Sequence, residues 1–401
     1  MVPDNARSPR QGKPGAPRLS VFAAIFITAA LMALSAHGFL PDAPDKITYD
    51  WRTALFCKQA EVQRDDIAIV LVTEDSVLRY WSRSPVDRAL LAELVRAIDL
   101  AGPRAIGLDF IFDRPADPKK TEALIRAIRE ARAPVVLGAI DRRERRVSSE
   151  ALKLQETFLT EAGRPAGHLF YGSNRRRFAL DEDVVRLMAS PLTEPPQRES
   201  FARALAEQAV GRTVQEPRAR HIAWLCPPDK SGMGLFAVLR VPEHDPVDGN
   251  GEGLTLLPES WRAVLKDKIV LVGGDFIDRD QHQTPMSILD RKRVPGVTIH
   301  GQIVAQLLDG RVIRPLSPLI EMVCVFVIAA LGFYLGHRFR LKNYDLIVSS
   351  IGIMVLIGVG MAAFARWQLI IPSTTFFFAW VGGVTLGYLA AVIATKTGYS
   401  S

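Results

Sequence analysis

Glu74, Asp75, Asp109, Asp113, Asp275 and Asp280 all fall within or soon after short apolar runs, at residues 67–72, 105–112 and 268–273. Runs of this kind read as buried strands, and ligands of open α/β sheets gather beyond the C-terminal ends of the strands. Carboxylates meeting there repel one another unless a hard cation, a basic ligand or arginines neutralise them, so cation binding is one chemistry the pattern offers. The plainer account is structural: Asp at strand ends caps turns and helices, and Arg52, Arg88 or Arg104 can pair with the acids. Asp141, after a further run at 135–140, extends the set. His300 follows Val297 and Ile299 on an apolar helical face and reads as a satisfied buried histidine rather than a ligand.

Signatures of dedicated catalysts are missing from the sequence. It has no Gly-x-Ser-x-Gly elbow, no His-Glu-x-x-His, no phosphate-cradling Gly-x-x-x-x-Gly-Lys-Ser/Thr and no Gly-x-Gly-x-x-Gly after a strand. Asp109 and Asp113 could hold Mg²⁺ for phosphoester hydrolysis, which makes a membrane-anchored metal-dependent hydrolase the alternative reading, but two carboxylates at that spacing do not define one. The expectation is a protein that is not an enzyme, with no catalytic residue and no cofactor, and with metal binding left open.

The elements that must position these acids alternate. The run at 67–72 precedes an amphipathic stretch at 87–100 with Leu90, Leu91, Leu94, Val95 and Ile98 on one face; 105–112 precedes a second helix at 119–132; and 135–140 reads as a third strand. This rhythm predicts a mostly parallel sheet covered by helices. Residues 141–253 are rich in Arg, Glu, Pro and Gly and read as an insertion or lobe, with helix at 199–210 and strands near 222–225 and 235–240. Order returns at 268–273 and in a helix over 296–308 stopped by Asp309-Gly310, so residues 41–315 are expected to form one domain.

Apolar runs at 19–40, 316–336, 346–365 and 369–393 have membrane-spanning length. Arg7, Arg10, Lys13 and Arg18 precede the first, and His337, Arg338, Arg340 and Lys342 fill the loop after the second, so both clusters are expected in the cytoplasm. That makes 1–18 and 394–401 cytoplasmic tails and places 41–315 across the membrane, periplasmic in a bacterium, with the protein multi-pass in the inner membrane. A cleaved signal peptide, cut near Ser35 and Ala36, is the other reading of the first run. The formal charge of +7 is largely explained by these flanks meeting anionic lipid, and no nucleic-acid partner is expected. Arg142, Arg143, Arg145 and Arg146, and Arg175 to Arg177, read as solvated loops. Glycines at 352, 358, 360, 382, 383 and 387 suit close helix packing within the bundle or between subunits, which leaves homo-oligomer formation open; lipid-facing helices that tolerate glycine by chance are the alternative. Of three cysteines, Cys57 and Cys226 fall in the outer domain, where a disulfide is permitted, and two free thiols are the alternative.

The ordered set Tyr49-Asp-Trp-Arg52, Asp66-Ile-Ala-Ile-Val70, Pro85-Val-Asp-Arg88, Ala105-Ile-Gly-Leu-Asp-Phe-Ile-Phe112, Ile269-Val-Leu-Val-Gly273, Asp280 with Thr284-Pro285, and Pro295-Gly-Val-Thr-Ile-His300 resembles the second type of CHASE domain. That family comprises cyclase- and histidine-kinase-associated sensory extracellular domains, and its second type is typically followed by three membrane helices. The resemblance implies an α/β extracytoplasmic sensory domain with four transmembrane helices, binding a small molecule or protein outside. Members usually continue into a cyclase or kinase; here the expectation is a sensor that passes its signal through the helix bundle to a cytoplasmic or membrane protein in trans. A structural subunit of a membrane assembly is a further alternative. The family carries no binding residue over to this chain, and Trp81-Ser-Arg-Ser before Pro85 departs from its aromatic-proline start.

Overall fold

The computed structural model describes residues 16–37, 39–81, 85–140, 147–172, 184–189, 199–217, 220–228, 234–251, 257–277, 280–338 and 344–396. Asp141, both arginine clusters, Arg7, Arg10, Lys13, Arg340 and Lys342 lie outside them. The chain divides into two compact units, one built mainly from Asp50–Asn174 and Asp181–Ile313, the other mainly from Met1–Tyr49 and Arg314–Ser401. In sequence, α1 (Ala16–Ala36) opens the second unit and α2 (Ala43–Phe56) leads from it into the first.

Six strands form the centre of the first unit: β1 (Arg64–Thr73), β2 (Ala105–Asp109), β3 (Val135–Ala139), β4 (Ala166–His168), β5 (Phe236–Arg240) and β6 (Ile269–Asp275). Their order is β4-β3-β2-β6-β1-β5 and every pairing is parallel. The last strand in sequence thus fills the slot between the first two. Register sets Gly273 beside both Asp109 and Leu71, and Asp275 beside Thr73, so three adjacent strands end nearly flush.

Side chains alternate between two apolar layers, as the two-residue period of a strand requires. Ala68, Val70 and Val72 point to one face with Ile106, Leu108, Val270 and Val272, where α3 (Arg88–Leu100), α4 (Pro118–Glu130) and α5 (Ser149–Ala162) cover them. Ile67, Ile69 and Leu71 point to the other with Ala105, Ile269 and Leu271, under α6 (Phe201–Val210) and, after the short α7 (Ser260–Leu265) and α8 (Ser287–Asp290), α9 (Gly296–Asp309). Each fully buried Leu, Ile or Val here contributes about 1.5–3 kcal/mol. Local signals agree with the packing. Asp87 accepts from the Ala89 amide, Asp117 from Lys119 and Lys120 ahead of Pro118, and Gly163, Gly211 and Gly310 close their helices in the left-handed region.

The residues read as a separate lobe contribute to this same architecture. They supply β4, β5 and α6, and Gln302 and Gln306 of α9 bind the backbone of residues 221–225 much as a neighbouring strand would. The Gln302 side chain accepts from Leu225 N at 3.1 Å and donates to Leu225 O at 2.9 Å, and Gln306 accepts from Ala223 N at 2.8 Å. Cys226, next in sequence, is disulfide-bonded to Cys57 with Cα atoms 5.7 Å apart.

In the other unit, α10 (Pro318–Arg338), α11 (Tyr344–Trp367) and α12 (Ser373–Lys396) supply, among the described residues, three helices long and apolar enough to cross a membrane; α1 holds a shorter apolar stretch, Val21–Ser35. The last helix starts at Ser373, after Pro372, because the residue before a proline resists the helical region. Residues Leu369–Ile370 pair instead with Arg314–Pro315.

Candidate functional site

The site is built where β2 and β6 end beneath α9. Two glycines permit it. A Cβ at Gly273 would lie 2.9 Å from both γ-carbons of Val297, so glycine there lets the first turn of α9 settle on the strand end; at Gly107 it would meet Leu205 Cδ2 at 2.7 Å and Phe201 Cζ at 2.8 Å, so α6 approaches equally closely. Between these helices Asp109 comes to face His300, with Oδ1 3.9 Å from Nε2. His300 is only 3% exposed. Tyr171 stacks on its ring with centroids 4.9 Å apart, and Phe201 meets it edge-on at 5.1 Å.

A short hairpin completes the surround. Gln281–His282 pairs antiparallel with Val294–Pro295, and the Gly296 amide donates to Asp280 O at 2.9 Å. His282 thereby reaches Tyr171, edge to face at 5.4 Å, while the Tyr171 hydroxyl donates to Gly296 O at 2.8 Å. His168, at the end of β4 and 2% exposed, is the third histidine near this centre. Three of the chain's seven histidines therefore gather at one sheet end.

Burial governs the proton affinities. Desolvation, reinforced by the charge of Asp280, pushes the Asp109 carboxyl up to about 7. Desolvation, then His168 and His282, push His300 down to about 3, with the Leu169 backbone opposing. Burial, with Asp109 and Asp280 adding to it, holds the Tyr171 hydroxyl well above its ordinary range. His282 is lowered by desolvation and by Arg293. Near neutrality His300 and Tyr171 are uncharged and the Asp109 carboxyl exchanges its proton. The arrangement can bind and release protons or hydrogen-bond a polar ligand. Among the described residues no group of three His, Cys, Asp or Glu is placed to hold a metal ion.

Of the six acids expected to converge, the structure brings Asp109 and Asp280 into electrostatic contact. Asp275 is engaged elsewhere: Arg240 Nη1 donates to its Oδ2 at 2.8 Å and Gln281 Nε2 to its Oδ1. Glu74 and Asp75 sit in the short 3₁₀ turn after β1. Asp113 acts on Arg88, whose guanidinium lies over Phe158 and donates to Thr121 and to the Arg114 carbonyl. Sequence reasoning placed His300 on the buried face of its helix but missed Tyr171, His168 and His282. No pattern in the sequence pointed to them, since His168 and Tyr171 lie in the stretch read as an insertion or lobe and His282 lies well past the run at 268–273.

A doubly covered parallel sheet, joined in one chain to apolar helices of membrane-spanning length, is the class of protein these observations define. The CHASE2 domain model matches residues 23–334 of the 401. The chain belongs to the CHASE2 domain family, whose members are sensory extracellular domains rather than catalysts. No curated protein and no solved structure matches it.

Proposed function

We propose that this protein is a membrane-anchored sensor whose sheet domain faces the periplasm of a bacterial inner membrane, binds its signal at the Asp109–His300 end of the sheet, and passes the result through its four apolar helices to a partner protein in trans. The observation that carries the reading is the position of α9. Its first turns hold His300 in the site, and its last turn runs through Arg314–Pro315 into α10. Its glutamines grip residues 221–225, and the Cys226–Cys57 bond continues that link to the end of α2 and so toward α1. A shift of α9 therefore has a route toward both ends of the helix set, along the backbone into α10 and through hydrogen bonds and the disulfide toward α1. A ligand moves such an equilibrium only by preferring one arrangement.

Hydrogen exchange on the intact protein in lipid nanodiscs tests the coupling. Replacing His300 or Tyr171 by Ala is expected to change protection at residues 310–317 and the first turn of α10 as well as at the sheet end; a change confined to the sheet end counts against the sensor. Photo-crosslinking from Met354 and Val355, which are exposed on α11, is expected to trap a protein whose yield changes in the His300 variant. Orientation is tested separately. A cysteine at the exposed Glu122 is expected to react in intact cells with a maleimide that cannot cross the inner membrane, and labelling only after permeabilisation would reverse the topology.

A further inference from the structure

Resting on that reading, we propose that the signal is the proton itself: the Asp109, His300, Tyr171 and His282 cluster is a proton-binding site through which acidification of the surrounding compartment displaces α9.

Each element around the site brings a proton-exchanging group or an inert wall. Asp109 ends β2, Asp280 and His282 come from the start of the hairpin, His168 ends β4, Tyr171 follows it, and His300 stands on α9. Among the described residues, apolar groups pack beside them: Phe201 from α6 against His300, and Val297 against Gly273 where β6 meets the helix. Arg293 lies close enough to oppose a charge on His282, and the Leu169 backbone favours one on His300. At neutral pH the packed arrangement carries protons on the Tyr171 oxygen and, partly, on Asp109.

Added acid has no comfortable place in this packing. His168 and His282 both oppose a charge on His300, whose ring, stacked on Tyr171 and buried, is denied water. An arrangement that parts the rings or admits water restores ordinary histidine basicity, so it binds protons more tightly and gains population as pH falls. The first turn of α9 is the element placed to move. It begins at Gly296, where an added Cβ would lie 3.2 Å from the Tyr171 hydroxyl and 3.3 Å from His282 Nε2, and no side chain caps it. Alkalinity loads the opposite side, since ionising Asp109 sets a second negative charge near Asp280. The packed state therefore belongs to a bounded pH window.

The experiment uses the full chain in nanodiscs, scanned over about pH 5 to 8. pH-difference infrared spectra are expected to show a buried carboxylic C=O band that fades with a midpoint near 7 and is missing in Asp109→Asn. Spin-label mobility at a cysteine placed at Val312 is expected to change as the pH falls toward the histidine range. That acid response is expected to be lost, or shifted by at least one pH unit, in a His282→Gln, His300→Gln double variant that keeps the packing volume. A wild-type response that survives unchanged in this variant overturns the inference, as does a mobility independent of pH. If pH has no effect while His300→Ala still alters exchange at 310–317, the proton proposal fails and the sensor stands; if neither perturbation reaches 310–317, both fail.

Discussion

Asp109 Oδ1 and His300 Nε2 stand 3.9 Å apart at the sheet end, and burial moves their proton affinities in opposite directions. Asp109, raised from 3.8 to about 7, keeps in the folded chain a proton that the unfolded chain releases above about pH 4. Taken alone it lowers stability as pH rises from about 4 to 7. His300, lowered from 6.5 to about 3, refuses in the folded chain a proton that the unfolded chain holds below 6.5. Taken alone it lowers stability as pH falls from 6.5 to 3. Each effect is of order 4 kcal/mol. Between about pH 4 and 6.5 the slopes cancel, because one proton is bound in either state. The pH dependence of the full chain across that range is therefore left to other groups, and burial lowers His221 to about 4 and lowers His282 as well, so thermal midpoints should fall as the pH falls from 6.5. In Asp109→Asn they should climb with pH more steeply than in the wild type, and in His300→Gln less steeply. Three parallel curves would contradict the opposed pair.

The Cys57–Cys226 bond closes a loop of 169 residues and so restrains the unfolded chain strongly; bonds of this span stabilise by about 3–5 kcal/mol. The paired Cys57→Ser, Cys226→Ser variant should lower the thermal midpoint by of order 10 °C. A reductant should do the same to the wild type and nothing further to the variant. A wild type insensitive to reduction would mean that the glutamine contacts of α9 hold residues 221–225 in place unaided.

Arg186 grips Asp50 through two nitrogens, Nε at 2.8 Å and Nη2 at 2.7 Å, with both side chains 9% exposed. The pair ties the segment that leads into the Leu187–Met188 strand to α2. Arg186→Met removes both charge-assisted bonds while the carboxylate stays buried, and should cost about 3–5 kcal/mol. The Asp50→Leu, Arg186→Met double variant should recover much of that loss. Additive losses in the double-variant cycle would show that the two residues act separately.

The central strands are legible in the sequence because strands buried on both faces are continuous apolar runs: Ile67 to Val72 and Ile269 to Val272 are fully or almost fully buried. Their helices are legible because one face is apolar and the caps are conventional, as with Asp87 and Asp117. The edge strand β5 is harder, since it is only five residues long and two of them, Val238 and Arg240, are exposed. Hardest are the two-residue pairings Gln281–His282 with Val294–Pro295 and Tyr171–Gly172 with Leu187–Met188, too short for any period. Those pieces deliver His282 and Tyr171. Carboxylates at strand ends stood out in the sequence; the rings that surround Asp109 did not, because tertiary packing alone brings them together.

Glycines on α10 and α12 interlock, and their loss should be felt according to what each one faces. A Cβ at Gly332 would lie 2.9 Å from Trp380 O, Gly336 faces the Val384 backbone, and Gly383 and Gly387 face the carbonyls of Ala329 and Phe333. Without a hydrophobic force between helices in lipid, such close backbone approach is a main source of association. Gly387→Leu must push the two helices apart, at a cost of about 1–3 kcal/mol. Gly358 on α11 has no neighbouring atom within 4 Å of an added Cβ, so Gly358→Leu should leave stability almost unchanged and serves as the control. Thermal inactivation of the detergent-solubilised chain compares them. Equal loss in both variants would mean that Gly358 also meets a neighbour in the membrane, as it would if α11 packed against a second copy of the chain.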